Sequence, residues 1–346
     1  MTIKIETGDL LKQDGIDAIV NTVNCVGIMG KGIALQFKRK WPDNFKAYEG
    51  ACKRGEVVPG KMHVFDSGGL IKPNFIINFP TKNHWKERSK LSYIDDGLHD
   101  LINQIERLHI RSIAIPPLGC GNGGLDWDEV RPRIEKAFQA LPSVTVHLFP
   151  PGATPDAKSM ETGTKKPRMT RGRAAILKLL EVYKELNYGL SKIEIQKLAY
   201  FLQISGEDLK LNFEAHTYGP YAAQLGHALQ NMEGHYIRGI GDGVAMPDIE
   251  PIEGALSQAE EFLEAAEGTG LNEKIDRIDD LIAGFKTPYG LELLASVHWV
   301  ATHEPFARNE SEALRAVQMW NERKKTLMEA DHVAAAWQRL SECQWI

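Results

Sequence analysis

The sequence predicts an α/β layered fold over residues 1–150 and a mainly α-helical region over residues 173–346. Three observations carry that reading. Strand-like and helix-like runs alternate as far as Phe149, which favours a mainly parallel or mixed sheet covered by helices. Residues 151–172, "PGATPDAKSMETGTKKPRMTRG", mix Pro, Gly, Ser, Thr and charge without apolar periodicity, so they read as a linker. Beyond them apolar residues recur at i, i+3 and i+4 in one segment after another.

Taken in order, "IKIETGD", "DAIVNTV", "NFIINFP", "IRSIAIPPLG" and "VTVHLF" are rich in β-branched residues and read as strands. Between them "GIALQFKRKWPDNFKAYEGACKRG", "YIDDGLHDLINQIERLH" and "DWDEVRPRIEKAFQAL" have helical spacing. Asp126 stands where an N-cap is needed, with Glu129 three residues on as its capping partner. The second region offers "RAAILKLLEVYKELN", "SKIEIQKLAYFLQ", "YAAQLGHALQNMEGHYI", "LSQAEEFLEAAEG", "LNEKIDRIDDLIAGF", "YGLELLASVHWVATH" and "HVAAAWQRLSE" as helices. Gly219–Pro220 reads as a turn, and Tyr200, Phe201, Tyr218 and Tyr221 read as core aromatics.

The 346 residues suffice for two domains with a core in each. No signal segment and no apolar run of membrane length is present, and the four cysteines lack metal-ligand spacing, so a reduced, cytoplasmic setting without metal, cofactor or membrane is expected. The net charge of -5 hides an asymmetry: residues 204–346 hold 11 Lys and Arg against 24 Asp and Glu, while residues 1–150 are mildly basic. Different partners for the two ends, or simply solvated acidic helices, would both account for it.

Three pieces of the first region bear on chemistry. "TGDLLK" puts Asp9 just after the first strand. "NTVNCVGIMGKG" follows the second strand and enters a helix, and "PPLGCGNGGLDWDEV" follows a later strand and enters another. Glycine lets backbone approach a ligand closely, and a helix N-terminus presents unpaired N–H groups with partial positive charge. Two such loops in one domain suit a diphosphate held from both sides. Neither fits the dinucleotide fingerprint, G-x-G-x-x-G with its downstream acid, or the P-loop. Lys82 follows the apolar strand "NFIINFP", on a loop at the end of a core strand, where ligands gather in α/β folds. Partial desolvation there would lower its pKa and free its amine. Next to it, "KNHWKERSK" mixes Trp85 with basic residues, a composition that suits either single-stranded nucleic acid or a solvated loop.

Together "TGDLL", "AIVNTVNCVGIMGKGIALQFKRKWP", "NFPTK" and "PPLGCGNGGLDW", in that order, resemble a macrodomain, the three-layer α/β/α, mixed-sheet fold that binds ADP-ribose. "GKGIALQF" with "NFPTKNHW" is most similar to the antitoxin macrodomains paired with DarT toxins, which attach ADP-ribose to thymidine in single-stranded DNA; the antitoxin removes it. The resemblance implies that Asp9 with Leu10 binds adenine, and that Asn24 with Gly30, Lys31 and Gly32 holds the distal ribose and diphosphate. Gly119, Cys120, Gly121, Asn122, Gly123 and Gly124 would form the second phosphate loop. It makes Lys82 catalytic, as nucleophile or as helper of the leaving group, and His84 and Trp85 possible DNA contacts. Related human enzymes pair this lysine with an aspartate in the second loop; here Gly123 stands at that place. The implied substrate is ADP-ribosylated single-stranded DNA. The weaker alternatives are hydrolysis at protein carboxylates or ADP-ribose phosphate, and a non-catalytic ADP-ribose reader.

In the second region "IQKLAYFLQ" and "FEAHTYGPYAAQLGHAL" resemble SocA-like, or Panacea, antitoxin domains. That implies direct binding of the DarT toxin, for which the acidic helices would supply charge complementary to a DNA-binding cleft.

Overall fold

The computed structural model describes residues 2–13, 15–69, 72–152, 161–184, 190–240 and 249–346. It divides into two compact units, one ending at Lys165 and the other beginning at Lys166.

The first unit is built on six strands: β1 (Thr2–Ile5), β2 (Ala18–Val23), β3 (His63–Asp66), β4 (Phe75–Pro80), β5 (Ser112–Ile115) and β6 (Thr145–Leu148). Their order is β1-β6-β5-β2-β4-β3, and each neighbouring pair is parallel except β3 with β4. Helices α1 (Gly32–Lys40), α2 (Pro42–Lys53), α3 (Leu91–Arg107) and α4 (Trp127–Ala137) cover both faces. Alternate strand residues point to opposite faces. Thus Ala18, Val20, Ile77, Phe79, Ile113 and Ile115 pack with Ile94 and Leu98 of α3 and Val130 and Ile134 of α4. Ile19, Ile76 and Ala114 pack instead with Phe37 of α1. This is the mixed-sheet, three-layer arrangement that the sequence predicts.

Two details differ from the sequence reading. The long run from Gly32 is two helices, because Pro42 lacks an N–H and opens a new helix after the kink at Trp41. Strand β3 was not expected; it has four residues at the sheet edge, too short to show alternation. Beyond the 153–160 stretch, which lies outside the described residues, the expected linker follows the first unit for a few residues. Gly163 N–H donates to Arg39 O at 2.8 Å, and Glu161 pairs with Lys40 at 3.0 Å.

The second unit contains α5 (Arg171–Lys184), α6 (Lys192–Ile204), α7 (Ala223–Met232), α8 (Ala255–Glu264), α9 (Leu271–Ile282), α10 (Pro288–His303), α11 (Glu310–Trp320), α12 (Glu322–Leu327) and α13 (Ala330–Glu342). Helix α6 starts on a capping box between Ser191 and Glu194. The sequence reading did not foresee α11 or α12. It also took Gly219–Pro220 for a turn, whereas Gly219–Tyr221 is β8, paired with β7 (Glu214–His216) in a hairpin. Helix α6 clamps that hairpin. Gln196 exchanges two 2.9 Å hydrogen bonds with the backbone of Ala222, and Lys197 Nζ donates to Pro220 O at 2.6 Å. Tyr200 and Phe201 are core residues as expected, but Tyr218 and Tyr221 are each 39% exposed, because the clamp fixes their hairpin by its backbone rather than by ring burial. Burial pushes Lys197 down to about 7.

Candidate active site

Strands β5, β2 and β4 are neighbours and parallel, so their carboxyl ends lie side by side. The glycine loop after β2, the Lys82 loop after β4 and the glycine loop after β5 therefore open on one edge of the sheet, where ligands collect in α/β folds. The pairing of β2 with β4 continues past the strands. Thr81 N–H donates to Val23 O and Cys25 N–H to Asn83 O, each at 3.0 Å, which sets Asn24 and Cys25 beside Lys82 and Asn83. Within the sheet the paired Asn21 and Asn78 side chains bond at 3.0 Å, and Asn78 donates on to Asn44 at 2.7 Å.

In the first loop Asn24 is buried and faces its own backbone. Its Oδ1 accepts from Val26 and Ile28 N–H at 3.0 and 3.3 Å, and its Nδ2 donates to Ile28 O at 2.5 Å. Buried Tyr48, a residue the sequence reading did not single out, donates from its hydroxyl to Asn24 O at 2.6 Å. Asn24 in this structure thus shapes the loop. Gly30, Lys31 and Gly32 lead into α1, whose N-terminus has no side-chain cap; Gly32 has φ +55, which favours glycine. The first N–H groups of α1 are left to take an anion.

In the second loop Gly119 and Gly124 have φ of +70 and +74. The loop is pinned by Cys120 N–H to Pro117 O, Gly124 N–H to Gly121 O and Leu125 N–H to Gly119 O. Among the described residues the N–H groups of Gly121, Asn122 and Gly123 have no acceptor. A Cβ at Gly123 would overlap Gly119 O and Ser89 Oγ, so no side chain fits there. Asp126 caps α4, but its carboxylate takes the Asp128 N–H at 3.0 Å rather than that of Glu129. Cys120 is half-buried, and burial pushes its thiol up to about 11.

The two loops meet Lys82 at Asn122. Lys82 Nζ donates to the Asn122 carbonyl at 2.5 Å, and a Cβ at Gly32 would lie 3.2 Å from Asn122 Nδ2. Burial lowers the Lys82 pKa, and no carboxylate is among the causes acting on it. Next to it, His84 Nδ1 accepts from Lys86 N–H at 3.3 Å. Trp85 is 45% exposed, with the His84 ring 5.5 Å and Lys86 Nζ 5.1 Å from its rings.

At the far side Asp9 is half-buried. One oxygen accepts from Leu11 N–H at 2.9 Å, capping a short turn, while Leu10 is in the core. Asp9 lines a small recess with Leu11, Gln36, Arg39, Lys40 and Glu161.

Residues 20–134 match the family model described as Macro domain. The chain is 48% identical over 324 residues to a DNA ADP-ribosyl glycohydrolase of Thermus aquaticus, covering 94% of this chain and 89% of that protein. It is 46% identical over 348 residues to one of Mycobacterium tuberculosis, covering 96% and 97%. A DNA ADP-ribosyl transferase–DNA ADP-ribosyl glycohydrolase fusion protein of Thermosipho africanus is 35% identical over 145 residues, covering 38% of this chain and 37% of the fusion.

Proposed function

The chain belongs to the family of DNA ADP-ribosyl glycohydrolases, and on that footing we propose that it strips ADP-ribose from thymidine in single-stranded DNA with Lys82 as the catalytic residue. The observation that carries the reading is the meeting of Lys82 Nζ with the second glycine loop at the shared end of β5, β2 and β4.

The roles divide by geometry. The free N–H groups of Gly121, Asn122 and Gly123 and those opening α1 suit the diphosphate. The free oxygen of Asp9 suits the adenine amino group. Trp85, exposed beside Lys86, suits a stacked base of the DNA strand, with His84 at its side. Lys82 acts on the anomeric carbon. Its neutral amine bonds to that carbon while the bond to the thymine nitrogen breaks, and the nitrogen leaves with the electron pair and takes a proton. The ammonium formed on Lys82 gives up one proton, which balances the one taken by the thymine nitrogen. Water then attacks the same carbon and its proton passes to the departing lysine nitrogen, which releases free ADP-ribose and restores the neutral amine. Burial raises the neutral fraction of the amine.

The fusion of a DNA ADP-ribosyl transferase to a glycohydrolase in one relative supports an antitoxin role with a DarT-type transferase as partner. In this reading residues 1–150 are the hydrolase, 151–172 connect, and 173–346 bind the toxin with their acidic surface. Glu261, Glu264 and Asp276 are exposed and have no ion-pair partner among the described residues, whereas Glu260, Asp279 and Asp280 pair with Lys178, Lys286 and Arg339 at 2.8–3.1 Å.

The test is a thymidine-containing oligonucleotide carrying ADP-ribose, incubated with wild type and with Lys82→Ala. Release by wild type alone is the expected result. No release by wild type, with free ADP-ribose still bound, would leave a reader domain and refute the catalytic role.

A further inference from the structure

We propose that the Ser89 hydroxyl is a positioning group for the second glycine loop, unpaired in the free protein and bonded to a loop carbonyl once the loop grips a diphosphate. This rests on reading that loop as the diphosphate cradle.

Ser89 is 6% exposed, and among the described residues its buried Oγ has no hydrogen-bond partner. Buried hydroxyls are nearly always paired, so an orphan calls for an explanation. The neighbouring helix does not explain it. Helix α3 begins after Lys90 and has no side-chain cap, so Ser89 caps nothing. What Ser89 does touch is the loop. Its N–H donates to Gly123 O at 3.0 Å, a Cβ at Gly119 would lie 3.2 Å from its Oγ, and a Cβ at Gly123 would overlap that oxygen. The hydroxyl thus lies under the two glycines that bracket the exposed Gly121–Asn122 tip.

Peptide geometry supplies the partner. Each peptide unit is planar and trans, so its N–H and C=O point in opposite directions. The Gly121 and Asn122 carbonyls already accept from Gly124 N–H and Lys82 Nζ, so when the Gly121 N–H turns to a phosphate oxygen it is the Cys120 carbonyl of the same peptide unit that turns toward Ser89. The hydroxyl donates to Cys120 O and holds the cradle in its gripping form.

The full chain carrying Ser89→Ala tests this, with the melting temperature of the free protein and the ADP-ribose Kd measured together. The expected result is an unchanged or higher melting temperature, because an unpaired buried group is removed. The ADP-ribose Kd should rise about 3- to 10-fold, the worth of one hydrogen bond. On adducted DNA, KM should rise with kcat little changed. An unchanged Kd overturns the proposal. So does a lower melting temperature, which would mark an ordinary structural hydroxyl. If wild type itself binds no ADP-ribose, the cradle reading fails and this proposal falls with it; binding by wild type with an unchanged Ser89→Ala refutes the positioning role alone.

Discussion

Lys82 Nζ and the backbone carbonyl of Asn122 are 2.5 Å apart, so the candidate catalytic amine rests against the loop that would hold the diphosphate. A carbonyl accepts from ammonium and neutral amine alike, and it supplies no charge to keep the lysine protonated. The contact therefore orients Lys82 while burial lowers its pKa.

Replacing Lys82 by Arg should separate charge from chemistry. A guanidinium keeps the cation but is never neutral in the working range. ADP-ribose affinity should change by no more than about threefold, while adduct release falls by about 100-fold or more. In wild type the rate needs the unprotonated amine, so it should rise with pH and reach half its plateau below the 10.5 of a free lysine. Single-turnover release across pH checks both, and equal rates for Lys82→Arg and wild type would remove the amine from the mechanism.

Gly97 on α3 packs on Phe79 of β4, and a Cβ there would overlap the ring. Alanine gains about 1 kcal/mol in a helix interior over glycine. Overpacking a tight core costs about 1–3 kcal/mol, and Phe79 is fully buried with little room to yield. The packing loss should win, so Gly97→Ala should lower stability, by up to about 2 kcal/mol, in urea unfolding. Because Phe79 lies three residues before Lys82, adduct release should also slow. A more stable variant would show that α3 can move aside.

Reversing Glu261, Glu264 and Asp276 to lysine should leave the fold intact and weaken toxin binding about tenfold at low ionic strength, with the difference shrinking as salt rises. Titration with a DarT-type transferase at two salt concentrations checks this. Binding that does not respond at low salt would mean the toxin engages another surface, the exposed Tyr218 and Tyr221 hairpin being the next to probe.

The strands and helices of the first unit were legible because buried parallel strands and amphipathic helices write their periods into the sequence. So was the convergence of "NTVNCVGIMGKG" and "PPLGCGNGGL", since each follows a core strand, whereas "TGDLLK", expected beside them, follows the edge strand β1. The edge strand His63–Asp66 and the hairpin Glu214–Tyr221 were not legible, because four- and three-residue strands show no alternation and their pairing is long-range or set by α6. Tyr48 and Ser89 escaped notice for a related reason. One is a regular apolar position on α2 and the other a serine in a charged loop, and only the fold brings them to Asn24 and Gly123.

The crowding at Gly123 bears on how this enzyme can change over generations. The resemblance read from the sequence would put an aspartate at this place, and a single codon change at Gly123 would write one here. The newcomer would have no room between Gly119 O and Ser89 Oγ, so the loop would have to be rebuilt before the acid could serve. Packing alone therefore holds this position to glycine, and an acid could enter the loop only together with changes at its neighbours.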